Sequence, residues 1–398
     1  MKVLFVSHSD GKYGAAQSLK NLMQYMIIND DSVVPVVITS KKNELNRWCD
    51  LNNIENYSFP YQDCLFYSYK NEDLLKSIYR KCVYIKSRIN FCFNPIIQYK
   101  IENSLDLSSF DLIVTNVSVV DMGARLANKY KIPHIWYFRE GDDPEVRLKS
   151  FRHDFVDFVQ KKSAAQVFIS KTVKRNWKSK NLLTPNMNVI YDIINLSVPK
   201  KFFNLNKRIL RMVFTGSPTP EKGLFEVLNS LNVLNKNHIS NFSLDVFGEY
   251  ENRYGKKIKN LVKELNLEDK VNFKGYDSNL FKELKKYDIG IVASHREALG
   301  RSTIEYLSAG LCVIASDSPY SASKEIISQT DGILFNSGDA EDLYRKIKKV
   351  MLNDEYRIST AINGNKRVFK LFNEDVLGEK AIMLFKQTAM HELTMYRK

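Results

Sequence analysis

Short apolar runs alternate with longer amphipathic segments along nearly the whole chain. Each run has three to five mostly apolar residues, too few for a helix and not interrupted by regular polar positions. This pattern is typical of parallel strands that are buried on both faces by the helices between them. Two series of runs predict an α/β fold of two doubly wound, Rossmann-like domains that face a central cleft. The runs are Val3–Ser7, Val34–Ile38, Leu112–Thr115, His134–Phe138, Val167–Ser170 and Val189–Tyr191, followed by Met212–Thr215, Leu244–Phe247, Val271–Lys274, Ile289–Ala293, Cys312–Ala315 and Ile333–Phe335.

The boundary between the two predicted domains lies near Leu196–Ile209, where Pro199 and the polar sequence KKFFNLNKR separate the two series. A chain of 398 residues is longer than one hydrophobic core commonly supports, which agrees with two domains. We therefore expect residues 1–195 to form an amino-terminal domain and residues 196–375 to form a carboxyl-terminal domain. The remaining tail has the apolar spacing of a long amphipathic helix.

The chain is basic, with 59 Lys and Arg against 45 Asp and Glu and a formal net charge of +14. Such an excess fits three kinds of partner: nucleic acid, an anionic membrane surface or anionic small substrates. Nucleic acid is not expected, because the sequence has no arginine-rich arm, zinc finger or RNA-binding aromatic motif. No apolar run approaches the roughly 20 residues that span a bilayer, and the first strand does not resemble a secretory signal.

The cysteine and histidine patterns argue against the common disulfide and metal frameworks. The five cysteines are widely scattered without a C-x-x-C pair, and the six histidines are equally dispersed. We therefore expect no disulfide, no metal site and a cytoplasmic location.

The segment Ser294–Leu307, SHREALGRSTIEYL, follows a predicted strand and opens a helical pattern. Gly300 permits an unusual backbone angle or the close approach of a ligand, and Ser302 with Glu305 has the spacing of a capping box. The free amides of a helix start form an anion site that suits a diphosphate. The carboxylates of Glu297 and Glu305 would then accept hydrogen bonds from sugar or ribose hydroxyls. Alternatively, Glu305 only caps its own helix and Glu297 is only solvated.

The whole stretch resembles glycosyltransferase family 4, whose members have the GT-B fold and retain the anomeric configuration of the sugar. The resemblance implies that Glu297 binds donor-sugar hydroxyls and that Glu305 binds the ribose of the nucleotide. It rests on the E-x7-E of EALGRSTIE and on the later Gly310, Val313, Ile314, Ser316 and Asp317. The residues that it implies in nucleotide-sugar binding are Glu297, Ala298, Leu299, Gly300, Ser302, Thr303 and Glu305.

The segment Phe214–Gly223, FTGSPTPEKG, supplies a second part of the implied donor site. Thr219 and Pro220 have the order of a helix N-cap and a first-turn proline, which would place Lys222 in the first turn of a helix. A cation is unfavourable there unless an anion binds beside it; the alternative is an exposed helix lysine. The segment resembles the family's G-R-L-x-x-x-K-G loop, in which Arg and Lys neutralise the leaving diphosphate.

Ser217 occupies the position of that arginine, directly after Gly216, so one cation of the family's pair is missing. Loss of such a charge costs about 3–4 kcal/mol at a developing anion. Either Arg301, Arg139 or another basic side chain compensates, or the chain is a weakened or non-catalytic relative.

Loops of the amino-terminal half carry the candidate acceptor-side residues. The loop SDGKYGAAQ lacks G-x-G-x-x-G, which argues against a dinucleotide-binding dehydrogenase; it resembles the family's G-G-A-E loop, or it is a simple strand-to-helix turn. IPHIWYFREGDD resembles the W-x-x-R-E form found in part of the family, and DLIVTN resembles its D-x-I-x-T-N strand. Arg139 and Glu140 would lie in the cleft, or form only a surface ion pair that contributes little. The candidates are Gly14, Ala15, Gln17, Asn116, Arg139 and Glu140.

The segment Lys70–Lys100 carries seven basic residues against two acidic ones. Within it, apolar residues recur at helical spacing, namely Ile78, Cys82, Ile85 and Ile89. One interpretation is a core-facing helix with a solvated basic face. The other is a helix that docks on an anionic membrane surface, which would suit a lipid-linked acceptor.

Together these features predict a retaining glycosyltransferase that moves a hexose or N-acetylhexosamine from a UDP- or GDP-sugar to a hydroxyl of a cell-surface glycan or lipid-linked acceptor. Lys222, Glu297 and Arg139 are the predicted catalytic residues. No metal or other cofactor is expected, because the sequence has no Asp-x-Asp. The resemblance also implies that the last helix, at 376–398, packs back on the amino-terminal domain. The expected location is cytoplasmic and peripheral at the inner face of the cell membrane. The alternative function is that of a non-catalytic GT-B subunit that supports a partner glycosyltransferase.

Overall fold

The chain divides into two compact units. One unit contains Met1–Asn195 and Phe372–Lys398, and the other contains Leu196–Leu371. The segment between the two predicted domains, near Leu196–Ile209, falls mostly outside the described residues. The structure, a computed structural model, describes residues 1–8, 14–70, 74–196, 209–277 and 279–395, without the side chains of 391–395.

A parallel sheet forms the centre of the first unit. Its strands follow the order β3-β2-β1-β5-β6-β8-β9, and β4 and β7 form a separate antiparallel pair. Each apolar run predicted in this half overlaps a strand, but β3, β4 and β7 were not predicted, because polar residues interrupt them. The strands are β1 (Lys2–Ser7), β2 (Val34–Thr39), β3 (Glu55–Ser58), β4 (Leu65–Tyr69), β5 (Leu112–Thr115), β6 (His134–Phe138), β7 (Val146–Ser150), β8 (Ala165–Phe168) and β9 (Met187–Val189).

The helices of the first unit lie mainly in the connections between its parallel strands. They are α1 (Gly14–Asn29), α2 (Glu44–Leu51), α3 (Leu74–Phe91), α4 (Asn94–Ser104), α5 (Met122–Tyr130), α6 (Phe155–Lys162) and α7 (Lys171–Lys178). Helix α3 has no buried side chain, and the predicted core-facing stripe at Ile78, Cys82, Ile85 and Ile89 is exposed. The core-facing interpretation of this segment is therefore wrong, since the helix contacts the protein through its other face.

The second unit repeats the doubly wound design. Its strands follow the order β12-β11-β10-β13-β14-β15 and pair in parallel, and four consecutive residues of β13 are buried because helices cover both faces of the sheet. The strands are β10 (Leu210–Thr215), β11 (Phe242–Phe247), β12 (Val271–Gly275), β13 (Ile289–Val292), β14 (Cys312–Asp317) and β15 (Ile333–Asn336). The helices are α8 (Leu224–Lys236), α9 (Arg253–Glu264), α10 (Leu280–Glu283), α11 (Arg301–Ser308), α12 (Ser323–Ile326), α13 (Ala340–Leu352) and α14 (Asp354–Leu371).

The last helix, α15 (Glu374–Met395), belongs to the first unit. The ring of Phe385 lies 6.1 Å from the ring of Phe5 in β1, and the backbone of Gly378 leaves no room for a side chain against Tyr25 of α1. The tail thus packs on the sheet and first helix of the amino-terminal unit; residues 396–398 of the predicted helix lie outside the described part.

Each sheet has one point at which the strand order reverses. In the first unit it lies between β1 and β5, and in the second between β10 and β13. Ligands of open parallel sheets bind outside the carboxyl ends of the strands at this point. The loops after β10 and β13, and those after β1 and β5, are therefore the places where a site is expected.

Candidate functional site

The loops after β10 and β13 are held side by side at the switch point of the second unit. His295 donates its backbone N–H to the carbonyl oxygen of Glu221 at 2.9 Å. Gly223 has φ of +73°, and a Cβ there would lie 2.2 Å from the carbonyl oxygen of Ala293. Only glycine fits this position, because both the backbone angle and the space exclude a side chain. The close approach fixes Lys222, the preceding residue, beside the loop after β13.

Lys222 and Glu297 form an ion pair across these two loops. Lys222 Nζ donates to Glu297 Oε1 at 2.6 Å, and the two side chains stay 29% and 17% exposed. The stem of Lys222 lies over Gly216, where an added Cβ would be 3.3 Å from Lys222 Cγ. Ser217 beside it is exposed. One cation and one carboxylate are thus presented at an accessible surface made partly of glycine backbone.

The helix start predicted at Thr219 and Pro220 is present, but the helix is short. Pro220–Lys222 form a single 3-10 turn, and α8 begins only at Leu224. Thr219 occupies the N-cap position, but its side chain makes no capping hydrogen bond. The left-handed backbone of Gly223 separates the turn from α8. Lys222 therefore lies in the first turn after Thr219 and Pro220, as predicted, but this turn ends at Gly223 and does not continue into α8.

Helix α11 begins directly at the loop that carries Glu297. Gly300 is its N-cap with φ of +77°, so the predicted unusual backbone angle is present. The predicted capping box of Ser302 and Glu305 is wrong: Ser302 lies inside the helix, and its hydroxyl is 2.9 Å from that of Thr215. The first amides of a helix have no partner within it, so the start of α11 remains a suitable anion site.

The other residues predicted to bind the nucleotide-sugar differ in their exposure. Thr303 is fully buried, and its hydroxyl lies 3.2 Å from that of Ser323. Its side chain is therefore not accessible to a ligand. Leu299 is buried, whereas Ala298 is half-buried. Glu305 is also half-buried; burial raises the pKa of its carboxyl, and Arg301 partly opposes that rise. Their roles in nucleotide-sugar binding stay predictions.

Two contacts that the sequence did not indicate complete the second-unit site. Glu297 donates its N–H to Tyr320 O at 3.1 Å and accepts at its carbonyl from Ala322 N at 2.8 Å, so the loop after β14 fixes its backbone. Behind the loops, the Tyr306 hydroxyl donates to Thr215 Oγ1 at 2.8 Å. The only sequence signal for Thr215 is its place as a polar residue at the end of an apolar strand.

In the first unit, Arg139 lies in a buried network at the ends of β5 and β6. Arg139 Nε donates to the backbone oxygen of Asn116 at 2.8 Å, and its Nη2 donates to Asn116 Oδ1 at 3.0 Å. Its Nη1 donates to the carboxylate of Asp192, which also accepts from the hydroxyl of Ser18. The guanidinium is committed to these acceptors, which favours a positioning role for Arg139 over the catalytic role predicted from the sequence.

Glu140 is not the ion-pair partner of Arg139. Its carboxylate accepts from the backbone N–H of Ser118 at 2.9 Å and from the Ser118 hydroxyl at 2.6 Å. The alternative of a surface ion pair between Arg139 and Glu140 is therefore wrong. Asp192, the actual partner, was missed because no local pattern links it to a residue 53 positions away.

The remaining acceptor-side candidates are only partly brought together. Asn116 donates from Nδ2 to the carbonyl oxygen of Ala15 at 3.1 Å, which ties the start of α1 to the end of β5. Gly14 accepts from the Ser18 hydroxyl at 2.8 Å. Gln17 instead is exposed and bonds Asn21 along α1. Residues 9–13 of the predicted glycine-rich loop lie outside the described residues.

The described residues offer neither a cluster of metal ligands nor a membrane-spanning helix. Across the described ranges, no three His, Cys, Asp or Glu side chains are grouped so that they would hold a metal ion. In the same part of the chain, no helix is both long and apolar enough to cross a bilayer. The expected independence from a metal stays a prediction.

Comparisons with known proteins agree with the architecture. Residues 199–367 match the family described as glycosyl transferases group 1. An uncharacterized glycosyltransferase of Methanocaldococcus jannaschii is 25% identical over 72% of this chain and 77% of its own length. Poly(ribitol-phosphate) alpha-N-acetylglucosaminyltransferase of Staphylococcus aureus is 24% identical over 65% of this chain, and the match spans only 51% of that enzyme.

Solved structures extend the similarity to both units. HepE of Anabaena, crystallised in complex with UDP, aligns with a TM-score of 0.76 at 15% identity, covering 97% of this chain and 100% of that one. The predicted GT-B fold class of two Rossmann-like α/β units is thereby confirmed. The family match and the relatives support a glycosyltransferase, whereas membership of family 4 stays a prediction.

Proposed function

We propose that this protein transfers a hexose or N-acetylhexosamine from a nucleotide-diphosphate sugar to a hydroxyl of a glycan or lipid-linked acceptor. Retention of the anomeric configuration and independence from a metal are part of the proposal. The observation that carries it is the accessible Lys222–Glu297 pair at the switch point between β10 and β13, beside the start of α11. UDP is the first nucleotide to test, because HepE has been crystallised with UDP and with UDP-glucose.

Each group of the site has a distinct part in the proposed chemistry. Lys222 neutralises the leaving diphosphate, and the first amides of α11 add fixed partial positive charge. Glu297 accepts hydrogen bonds from donor-sugar hydroxyls. Without a ligand the two charges satisfy each other at 2.6 Å, so the pair keeps both side chains in place until the diphosphate and the sugar replace their mutual contact.

The proposed route to retention needs no carboxylate nucleophile. The acceptor hydroxyl attacks from the face that the diphosphate leaves, and a donor phosphate oxygen takes its proton. Glu297 is held by Lys222 and serves as a hydrogen-bond acceptor rather than as a nucleophile. Exclusion of water would limit hydrolysis of the donor.

Ser217 leaves the proposed diphosphate site one cation short of the family's pair. Its side chain is exposed, and it occupies the position at which the family's loop has an arginine. Arg301, the first residue of α11, is the candidate for the second cation, because Arg139 is buried and committed to Asn116 and Asp192. If no second cation serves, the favoured alternative is a non-catalytic subunit that supports a partner glycosyltransferase.

Two matched variants test the proposed function. Lys222→Met removes the cation of the site, whereas Lys259→Met removes a lysine of α9 that also has a carboxylate partner, with its Nζ 2.5 Å from Glu251 Oε1. UDP- and GDP-sugars are screened by thermal shift, and released nucleotide diphosphate is measured with and without lipid-linked acceptors. We expect binding and turnover by the natural chain, about 10²–10³-fold slower turnover for Lys222→Met, and no change for Lys259→Met.

Three outcomes separate the alternatives. Failure of the natural chain to bind any of these donors, together with stoichiometric copurification of a homologous chain, would favour the non-catalytic subunit. Binding without turnover under any acceptor would also favour it. An equal loss of turnover in the Lys222→Met and Lys259→Met variants would show that the Lys222–Glu297 pair has no special role in the reaction.

A further inference from the structure

Helix α3 combines an exposed apolar stripe with an exposed basic border. Ile78, Ile85 and Ile89 are 49%, 57% and 55% exposed, and Cys82 between them is exposed as well. Their spacing of four, three and four residues places them on one side of the helix. Leu74 and Leu75 extend the same apolar surface at its start and are exposed.

The other side of α3 holds the helix on the protein. The ring of Tyr84 lies 5.4 Å from Phe66 of β4 and 5.2 Å from Phe151, which follows β7, and Phe91 lies 5.7 Å from Phe151. These aromatic contacts fix the orientation of the helix. The apolar stripe therefore points away from the first unit because of packing, not because the helix is unattached.

Helix α4, the next helix in the chain, carries exposed side chains of the same character. Its preceding residue Phe93 and its residues Ile96 and Tyr99 are exposed, and Lys100 beside them is exposed too. Ile97 and Ile101 face inward and are buried, so α4 is anchored to the first unit. Both helices thus present apolar and basic side chains to the exterior.

Charge identifies what would cover this surface. Between residues 74 and 101 the sequence has six basic residues and no acidic one. Lys81, Lys86 and Arg88 are exposed beside the apolar stripe, where their aliphatic stems can lie along an apolar layer while the charges reach outward. A second copy of this chain would bring like charges together, whereas an anionic lipid layer offers both an apolar interior and negative headgroups.

We propose that the surface formed by α3 and α4 docks the protein on an anionic phospholipid bilayer. The apolar stripe enters the boundary between headgroups and acyl chains, and the basic side chains contact phosphate. Membrane docking is separate from the transfer reaction and depends on these two helices alone. Vesicle binding is measured without nucleotide, so its failure and the failure of the proposed function are distinguishable.

The test uses two variants of α3 and a matched control on α9. Lys81→Gln/Lys86→Gln/Arg88→Gln removes three positive charges, and Ile85→Asn/Ile89→Asn removes the centre of the apolar stripe. The control, Lys256→Gln/Lys257→Gln/Lys263→Gln, removes the same charge from a basic helix whose Ile258 and Val262 are buried at 2% and 4% exposure. All substituted residues are exposed, and circular dichroism checks that each variant folds.

Flotation with phosphatidylcholine vesicles, with or without about one-third phosphatidylglycerol, measures binding. We expect the natural chain to bind only the anionic vesicles and to release at high salt. The charge variant should bind about 100-fold more weakly, the isoleucine variant at least about tenfold more weakly, and the control within about threefold of the natural chain.

Three results would overturn the proposal. One is no binding of the natural chain to anionic vesicles, and another is equal weakening by the α3 and α9 charge variants. The third comes from analytical ultracentrifugation: a dimer of the natural chain that dissociates with Ile85→Asn/Ile89→Asn would assign the surface to a second copy instead.

Discussion

Two ion pairs at the strand ends of the two units have the same chemistry and opposite surroundings. Lys222 and Glu297 in the second unit are 29% and 17% exposed, whereas Arg139 and Asp192 in the first unit are 5% and 7% exposed. Arg139 also donates to two oxygens of Asn116, and Asp192 accepts from Ser18, while Lys222 and Glu297 mainly satisfy each other. A charge near a switch point is therefore available to a ligand only where solvent reaches it and where no other protein group already binds it.

The largest expected effect is on stability, from Arg139→Met. This change leaves the Asp192 carboxylate buried without its cation, so the free energy of unfolding should fall by about 3–5 kcal/mol. Lys222→Met should lower it by less than about 1 kcal/mol, because the pair is partly exposed. Urea unfolding measures the free energy of unfolding of both variants. Equal decreases would show that the two ion pairs do not differ in their contribution to stability.

Acid should weaken the first unit through His134. This residue lies in β6, five positions before Arg139, with Nε2 at 2.8 Å from Thr115 Oγ1, and burial lowers the pKa of its imidazole from 6.5 to about 3. Because the unfolded chain binds a proton that the folded chain excludes, the stability is present above pH 6.5 and is lost as the pH falls towards 3. At pH 5 the loss amounts to about 2 kcal/mol.

His134→Gln tests the origin of this dependence. Glutamine keeps a polar group near Thr115 but does not titrate, so the difference in unfolding free energy between pH 7 and pH 5 should shrink by the same amount, about 2 kcal/mol. Urea unfolding at the two pH values measures it. An unchanged pH dependence would show that His134 is not the group that titrates.

The smallest expected effect comes from Tyr306→Phe, behind the site of the second unit. The variant removes the hydrogen bond of a fully buried hydroxyl to Thr215 Oγ1, which should cost about 1 kcal/mol of unfolding free energy. Nucleotide affinity should change by less than about threefold, because the Lys222–Glu297 contact is left intact. A loss of nucleotide affinity as large as that caused by Lys222→Met would mean that nucleotide binding needs the hydrogen bond between Tyr306 and Thr215.

Much of the fold was predictable, because parallel strands buried on both faces must be continuously apolar. Each predicted run overlaps a strand, although the run at Val189–Tyr191 is displaced from β9. Strands β3, β4 and β7 escaped prediction because exposed or half-buried residues interrupt them. The exposure of the apolar stripe of α3 was not predictable, because apolar residues at helical spacing can face either the core or the exterior.

The candidate site was predictable where motifs placed residues in loops at the ends of two strands that are neighbours in the sheet. The sequence pointed to Lys222 and Glu297, and the structure joins them at 2.6 Å. It did not point to Asp192, whose contact with Arg139 depends on tertiary packing. The capping box failed because Gly300 adopts a left-handed angle and starts α11 earlier, which leaves Ser302 to bond Thr215.

Amide hydrogen exchange with and without a saturating nucleotide diphosphate, UDP first, shows whether the loops that carry Lys222 and Glu297 bind the diphosphate. We predict slower exchange in peptides that cover residues 214–224 and 294–304, which contain the Lys222–Glu297 pair and the start of α11. Peptides around Asn116 and Arg139 should change little, because their hydrogen bonds are already formed. Protection of only the Asn116 and Arg139 peptides, with the Lys222 and Glu297 peptides unchanged, would show that the nucleotide does not bind at the Lys222–Glu297 pair.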